Sequence, residues 1–98
     1  MTSARTTVTG VEPLRGHSVR VSFGDGAVHE IDLSAMLARG GIFAAIRDDR
    51  ATFEAVSIDR EGGTIMWPGG VDLDPDVLRG DREPASGAPL PRRVVQAA

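Results

Sequence analysis

The chain has 98 residues, of which 41% are hydrophobic, and it carries 11 Arg, no Lys and 14 acidic residues for a formal net charge of −3. A chain this short forms one domain around one core, because it buries little more than ~60% of the surface its unfolded form exposes. The lack of cysteine excludes disulfides, thiolate nucleophiles, Fe–S clusters and Cys-bound zinc.

Five basic residues face six acidic ones in 1–49, and six face eight in 50–98. Neither half has the electrostatic footprint of a duplex-binding protein. No apolar run approaches the roughly 18 residues of a membrane span, and "MTSARTTVTG" lacks the apolar stretch of a secretory signal, so a cytoplasmic location is expected. With three Phe, one Trp and no Tyr, the core is aliphatic.

Residues 7–14 alternate and end at Pro13, which predicts a first strand. "SVRVSFGDGAVHEIDL" predicts a β-hairpin with Val19, Val21 and Phe23 on the core face. A two-residue loop at Asp25-Gly26 pairs Phe23 with Val28. That register turns Val28 inward and His29 outward opposite Ser22, and it leaves Ile31 on the wrong face unless a bulge intervenes near Glu30 or the strand ends there.

After Asp32 the period shifts toward 3.6. Leu33, Met36 and Leu37 predict a short helix capped by Asp32 or Ser34 and stopped by Gly40 and Gly41. "IFAAIRDD" predicts a second helical turn with Ile42, Phe43 and Ile46 on one face. In "TFEAVSIDREGGTIMWPGG" the period returns to two, which predicts a strand from Thr52 onward, a turn at "DREGG", and a strand "TIMW" stopped by Pro68 and two glycines. "DLDPDVLRGD" has the punctuation of a helix: Asp74 as N-cap, Pro75 at the first position, Asp76 in the first turn and Gly80 after the last.

The expected architecture is α+β: a small, mostly antiparallel sheet built from two hairpins, with two or three short helices packed on one face. Residues 1–81 form the domain. Residues 82–98, with three Pro and small residues throughout, are expected as a flexible Pro-rich tail.

Candidate chemistry is thin. Asp72, Asp74 and Asp76, with Glu83 at the twelfth place, match the opening of a calcium loop, but Val77 stands where its glycine belongs and Pro75 stiffens the fourth place. A capped helix start uses the same residues, and Asp72 is expected to cap the turn before it. His17 and His29 are expected on a solvated sheet face at opposite ends of the hairpin, too far apart for an acid–base or metal pair. There is no G-x-S-x-G elbow and no P-loop. No catalytic residue, cofactor or metal is expected, and no enzymatic activity.

Binding potential lies in two places. Trp67 is expected to fill core with one ring edge reaching the surface; exposed beside Pro68 it would be a partner anchor. In "PLPRRVVQAA", Arg92 and Arg93 suit acidic groups, and Val94 and Val95 suit strand addition to a partner's sheet edge. The candidate partner-binding residues are therefore Trp67, Asp72, Arg92, Arg93, Val94 and Val95.

The order Phe23, Asp25, Gly26, then Ile31-Asp32-Leu33, Phe43, Phe53, and finally "GTIMWPGGVDLDPDVL" resembles the bacterial family called domain of unknown function 2442, over about residues 8 to 79. The resemblance implies a small α+β unit with an antiparallel sheet and no established catalytic residues. Some members continue into a helix-turn-helix domain, and members often look like one half of a toxin–antitoxin-like gene pair. A Pro-rich tail stands here instead, so direct DNA binding is not expected.

These readings together favour a non-catalytic protein-interaction module. The expected role is antitoxin-like, binding a small and toxin-like, basic protein through a sheet edge or the tail. A homodimer is compatible with the sequence. The alternatives are a small-ligand or metal-sensing domain, or a nucleic-acid-associated regulatory protein.

Overall fold

Apolar alternation builds a first sheet from β1 (Val8–Pro13), β2 (Ser18–Phe23) and β3 (Val28–Asp32), paired antiparallel in chain order. The structure is a computed structural model that describes residues 6–84 and 89–98. Val19, Val21 and Phe23 are buried as expected, and α+β with antiparallel pairing throughout is what the strands form.

The hairpin register differs from the expected one. The Phe23 amide donates to Ala27 O at 2.9 Å, so the loop is the three residues Gly24, Asp25 and Gly26. Gly26 takes the left-handed conformation, φ 93°, that ends a three-residue loop of this kind, while Asp25 Oδ1 accepts the Ala27 amide at 3.0 Å. Adding one residue to the loop shifts β3 by one and flips all its side chains. Val28 pairs with Ser22, His29 with Val21 and Ile31 with Val19. Ile31 is thereby buried without a bulge near Glu30, and His29, expected on the solvated face, is only 7% exposed.

The next segments are helical for local reasons. Asp32 Oδ1 accepts the Ser34 amide at 2.8 Å and starts α1 (Ser34–Leu37). A 3-10 turn (Gly41–Phe43) leads into α2 (Ala44–Asp48), which buries Ile46 but leaves Ile42 70% exposed, off the expected shared face. Asp49 then caps α3 (Arg50–Glu54), accepting from the Ala51 amide at 3.3 Å and the Thr52 hydroxyl at 2.7 Å. An Arg50–Glu54 ion pair at one helical turn supports it. The strand expected from Thr52 is thus a helix first, and only Ser57–Asp59 (β4) is extended.

β4, β5 (Thr64–Trp67) and β6 (Val71–Asp72) make a second, three-stranded sheet, so the two hairpins belong to separate sheets rather than one. Its β4–β5 turn closes over one edge of the first sheet, where the Val8 amide donates to Gly63 O at 3.1 Å. α4 (Pro75–Arg79) has the expected punctuation: Asp74 Oδ1 accepts the Asp76 amide at 2.8 Å, and Gly80 closes the helix at φ 95°.

The expected flexible tail is corrected by the other edge of the first sheet. Arg92–Gln96 form β7, antiparallel to β3, and the order is β1-β2-β3-β7. Leu90, 6% exposed, joins the core just before the strand begins. Of the tail, residues 85–88 lie outside the described residues.

Candidate functional site

β7 is held by one side chain in particular. The Arg92 Nη1 lies 2.8 Å from both Leu78 O and Arg79 O and 2.9 Å from His29 Nδ1, so its two N–H protons are shared among three acceptors. The first two are carbonyls at the C-terminal end of α4, which lack intrahelical donors and sit at the negative end of the helix dipole. Because a guanidinium only donates, His29 Nδ1 accepts and carries no proton there. Gly80 leaves the room: a Cβ at this position would lie 3.0–3.2 Å from the Arg92 guanidinium. Burial first, and the nearby Arg79 charge second, push the Arg92 guanidinium down from its ordinary value.

Arg79 lies beneath. Its side chain is 8% exposed, makes two hydrogen bonds to the Asp25 carboxylate at 3.0 and 3.1 Å, and stacks 4.6 Å over the Phe23 ring. His29 meets the same ring edge-on at 5.1 Å. The hairpin loop, α4 and β7 therefore converge on one packed layer of two arginines, a histidine and a phenylalanine.

Asp25 is held below the usual carboxylate range, by the Arg79 hydrogen bonds first and the Ala27 amide second. Its folded value lies under the unfolded one of about 4, so this stabilisation is complete above that pH and is lost as pH falls through the lowered folded value. The urea midpoint of the natural protein should therefore drop further on acidification than that of Asp25→Asn. Equal acid sensitivity of the two would assign the pair no part in acid unfolding.

Across β7 the chain turns outward. Arg93, whose side chain is 77% exposed, reaches Glu30 at 3.8 Å; Val94 is 53% and Val95 45% exposed. Among the described residues Ile42 is the one other exposed large hydrophobic side chain, and it lies on the 3-10 turn. Among the described residues no strand lies beyond β7 in the sheet order.

The other candidate residues are not brought to this edge. Trp67 is fully buried with no ring edge at the surface; its Nε1–H donates to Phe53 O at 3.1 Å, and the two rings lie 6.4 Å apart. A partner-anchor role for Trp67 is thereby corrected to a core role, because β6 folds back on β5 and the helices cover its other side. Asp72 is exposed on β6 opposite Met66, and its carboxylate accepts no hydrogen bond among the described residues. Capping falls to Asp74 instead, which also meets Arg82 in an ion pair.

His17 stands elsewhere, donating Nε2–H to Arg47 O at 3.0 Å and packing against Phe53 at 5.5 Å. No group of three potential metal ligands occurs among the described residues. His29, Glu30 and Arg79 are the residues of the edge that sequence reasoning missed. Reading "GDG" as a three-residue loop would have exposed the first two, since it pairs Arg20 with Glu30.

Residues 8–83 match the family described as "Protein of unknown function (DUF2442)". The chain belongs to this family. The match covers both sheets except β7, which lies beyond its last residue, so the strand on the DUF2442 sheet edge comes from outside the matched span. No curated protein and no solved structure matches the chain.

Proposed function

We propose that this DUF2442 chain is a non-catalytic protein-interaction module that takes an extended segment of a small protein partner along the free edge of β7. The observation that carries the reading is the pair Val94 and Val95, half-exposed on the terminal strand of the larger sheet. An edge strand offers a row of backbone donors and acceptors, and exposed β-branched side chains beside it supply the apolar contact that strand addition needs. Both histidines are engaged in packing, which supports a structural rather than an acid–base role for them.

The finer assignment is an antitoxin-like half of a two-gene pair, with the partner encoded next to it. Co-expression with the adjacent gene product, followed by size-exclusion chromatography with light scattering, tests this. A stoichiometric complex is expected with the natural chain and is lost in a Val94→Lys, Val95→Lys double variant of unchanged melting temperature. A complex that survives both substitutions would move the contact away from β7.

A further inference from the structure

One row of charge crosses the solvent face of the first sheet. Glu12 of β1 is opposite Arg20 of β2, Arg20 is opposite Glu30 of β3, and Glu30 is opposite Arg93 of β7. The contacts follow the row: Arg20 to Glu12 at 3.5 Å, Arg20 to Glu30 at 2.7 Å and Arg93 to Glu30 at 3.8 Å. The sign alternates from strand to strand, the arrangement in which cross-strand neighbours attract; like charges directly opposite one another repel. Glu30 is committed chiefly to Arg20, whose guanidinium it raises above its ordinary value through their hydrogen bond. The row therefore ends at the free edge on a cation that its one neighbour satisfies only at long range.

The edge has a second requirement. The Asp32 amide donates to Pro91 O at 2.9 Å, and the alternation of an antiparallel ladder then turns the peptide groups of Arg92 and Val94 outward. Arg92's side chain is occupied on α4, so the side chains left for an incoming strand are Arg93 on the solvent face and Val94 with Val95 beside it.

We propose that the β7 edge selects an incoming strand with a carboxylate directly opposite Arg93 and an apolar residue opposite Val94, an alternating acidic–apolar segment of another protein. This rests on the strand-addition reading above and names the chemistry of its partner. A strand added at the ordinary spacing of about 4.8 Å places its solvent-face side chain within reach of Arg93. A carboxylate there continues the alternation, while an ammonium or guanidinium faces a cation whose counter-charge is already shared. A symmetric pairing of two β7 strands does not fit, because Arg92–Gln96 contains no carboxylate and no register of two such strands places one opposite Arg93. The net negative charge of the whole chain suggests a basic partner, but the local row at the edge decides what is read there.

The test joins an alternating Thr/Val peptide with a central Glu, Gln or Lys to residue 98 of the full chain through a flexible Gly/Ser linker, which holds the local peptide concentration at ~1 mM. Occupancy is read as hydrogen-exchange protection of the Val94 amide. The Glu peptide is expected to protect about tenfold more than the Lys peptide at low salt, the two converging at high salt. Arg93→Glu should invert the order. Equal protection by all three peptides would overturn the charge selection and leave strand addition standing. No protection by any of them would overturn both, and a dimer of the untethered chain lost on Arg93→Glu would replace the partner by a second copy.

Discussion

Replacing Trp67 with Ala is expected to lower the free energy of unfolding by about 4 kcal/mol, close to the whole stability of a domain this size. The side chain is fully buried and is the largest in the core, and its indole N–H is bonded to Phe53 O at 3.1 Å. Removing it opens a cavity between β5 and α3 and breaks the bond that ties the second sheet to the helical segment. Trp67→Phe, which keeps much of the volume, should cost about 1–2 kcal/mol, for the lost hydrogen bond and the unfilled remainder. Urea unfolding followed by circular dichroism measures both. A loss below about 1 kcal/mol for the alanine variant would mean that Trp67 is not core and would return it to the surface as a partner anchor.

Leu90→Ala is expected to cost about 2–3 kcal/mol, although it lies eleven residues beyond the end of α4 in a stretch rich in proline. Leu90 is 6% exposed and packs with the core cluster, while Arg92 two residues later closes the end of α4. Val95→Ala, on the exposed side of the same strand, should change stability by less than about 0.5 kcal/mol. The contrast separates a docked strand from a flexible tail, for which both substitutions would be neutral. Hydrogen exchange of the β3 amides supplies a second readout, since a chain ending at residue 81 leaves β3 as a bare edge and its amides should exchange faster.

Much of the fold was legible because it is encoded by neighbours in the chain. Val19, Val21 and Phe23 alternate and are buried; Asp74, Pro75 and Gly80 start and stop α4 where the sequence places them. The segment around Phe53 was misread for an instructive reason. Its apolar residues fit period two over a short run, and short runs do not separate strand from helix. Asp49 as N-cap, the Thr52 hydroxyl bonded to it, and Arg50 one helical turn before Glu54 are the local signals that decide for the helix. The hairpin turned on a single residue: counting Gly24 in the loop moves His29 from solvent to core and resolves the misplaced Ile31.

By itself, the sequence determined the α+β class, five of the seven strands, though not where the fourth begins, and the helix ends whose causes are a proline, a positive-φ glycine or a capping aspartate. These are interactions within a few residues, and the chain states them directly. The tertiary structure alone decided that Arg92–Gln96 is a strand and not a tail. Two arginines, two valines and a glutamine have no partner of their own, and proline on their N-terminal side argues locally against order. What orders them are the backbone groups that β3 turns toward this edge, the lone pair of His29 Nδ1 on the same strand and the C-terminal carbonyls of α4, brought together from two distant parts of the chain. The charge row Glu12, Arg20, Glu30, Arg93 has the same origin: its members are scattered in sequence, and only strand register makes them neighbours.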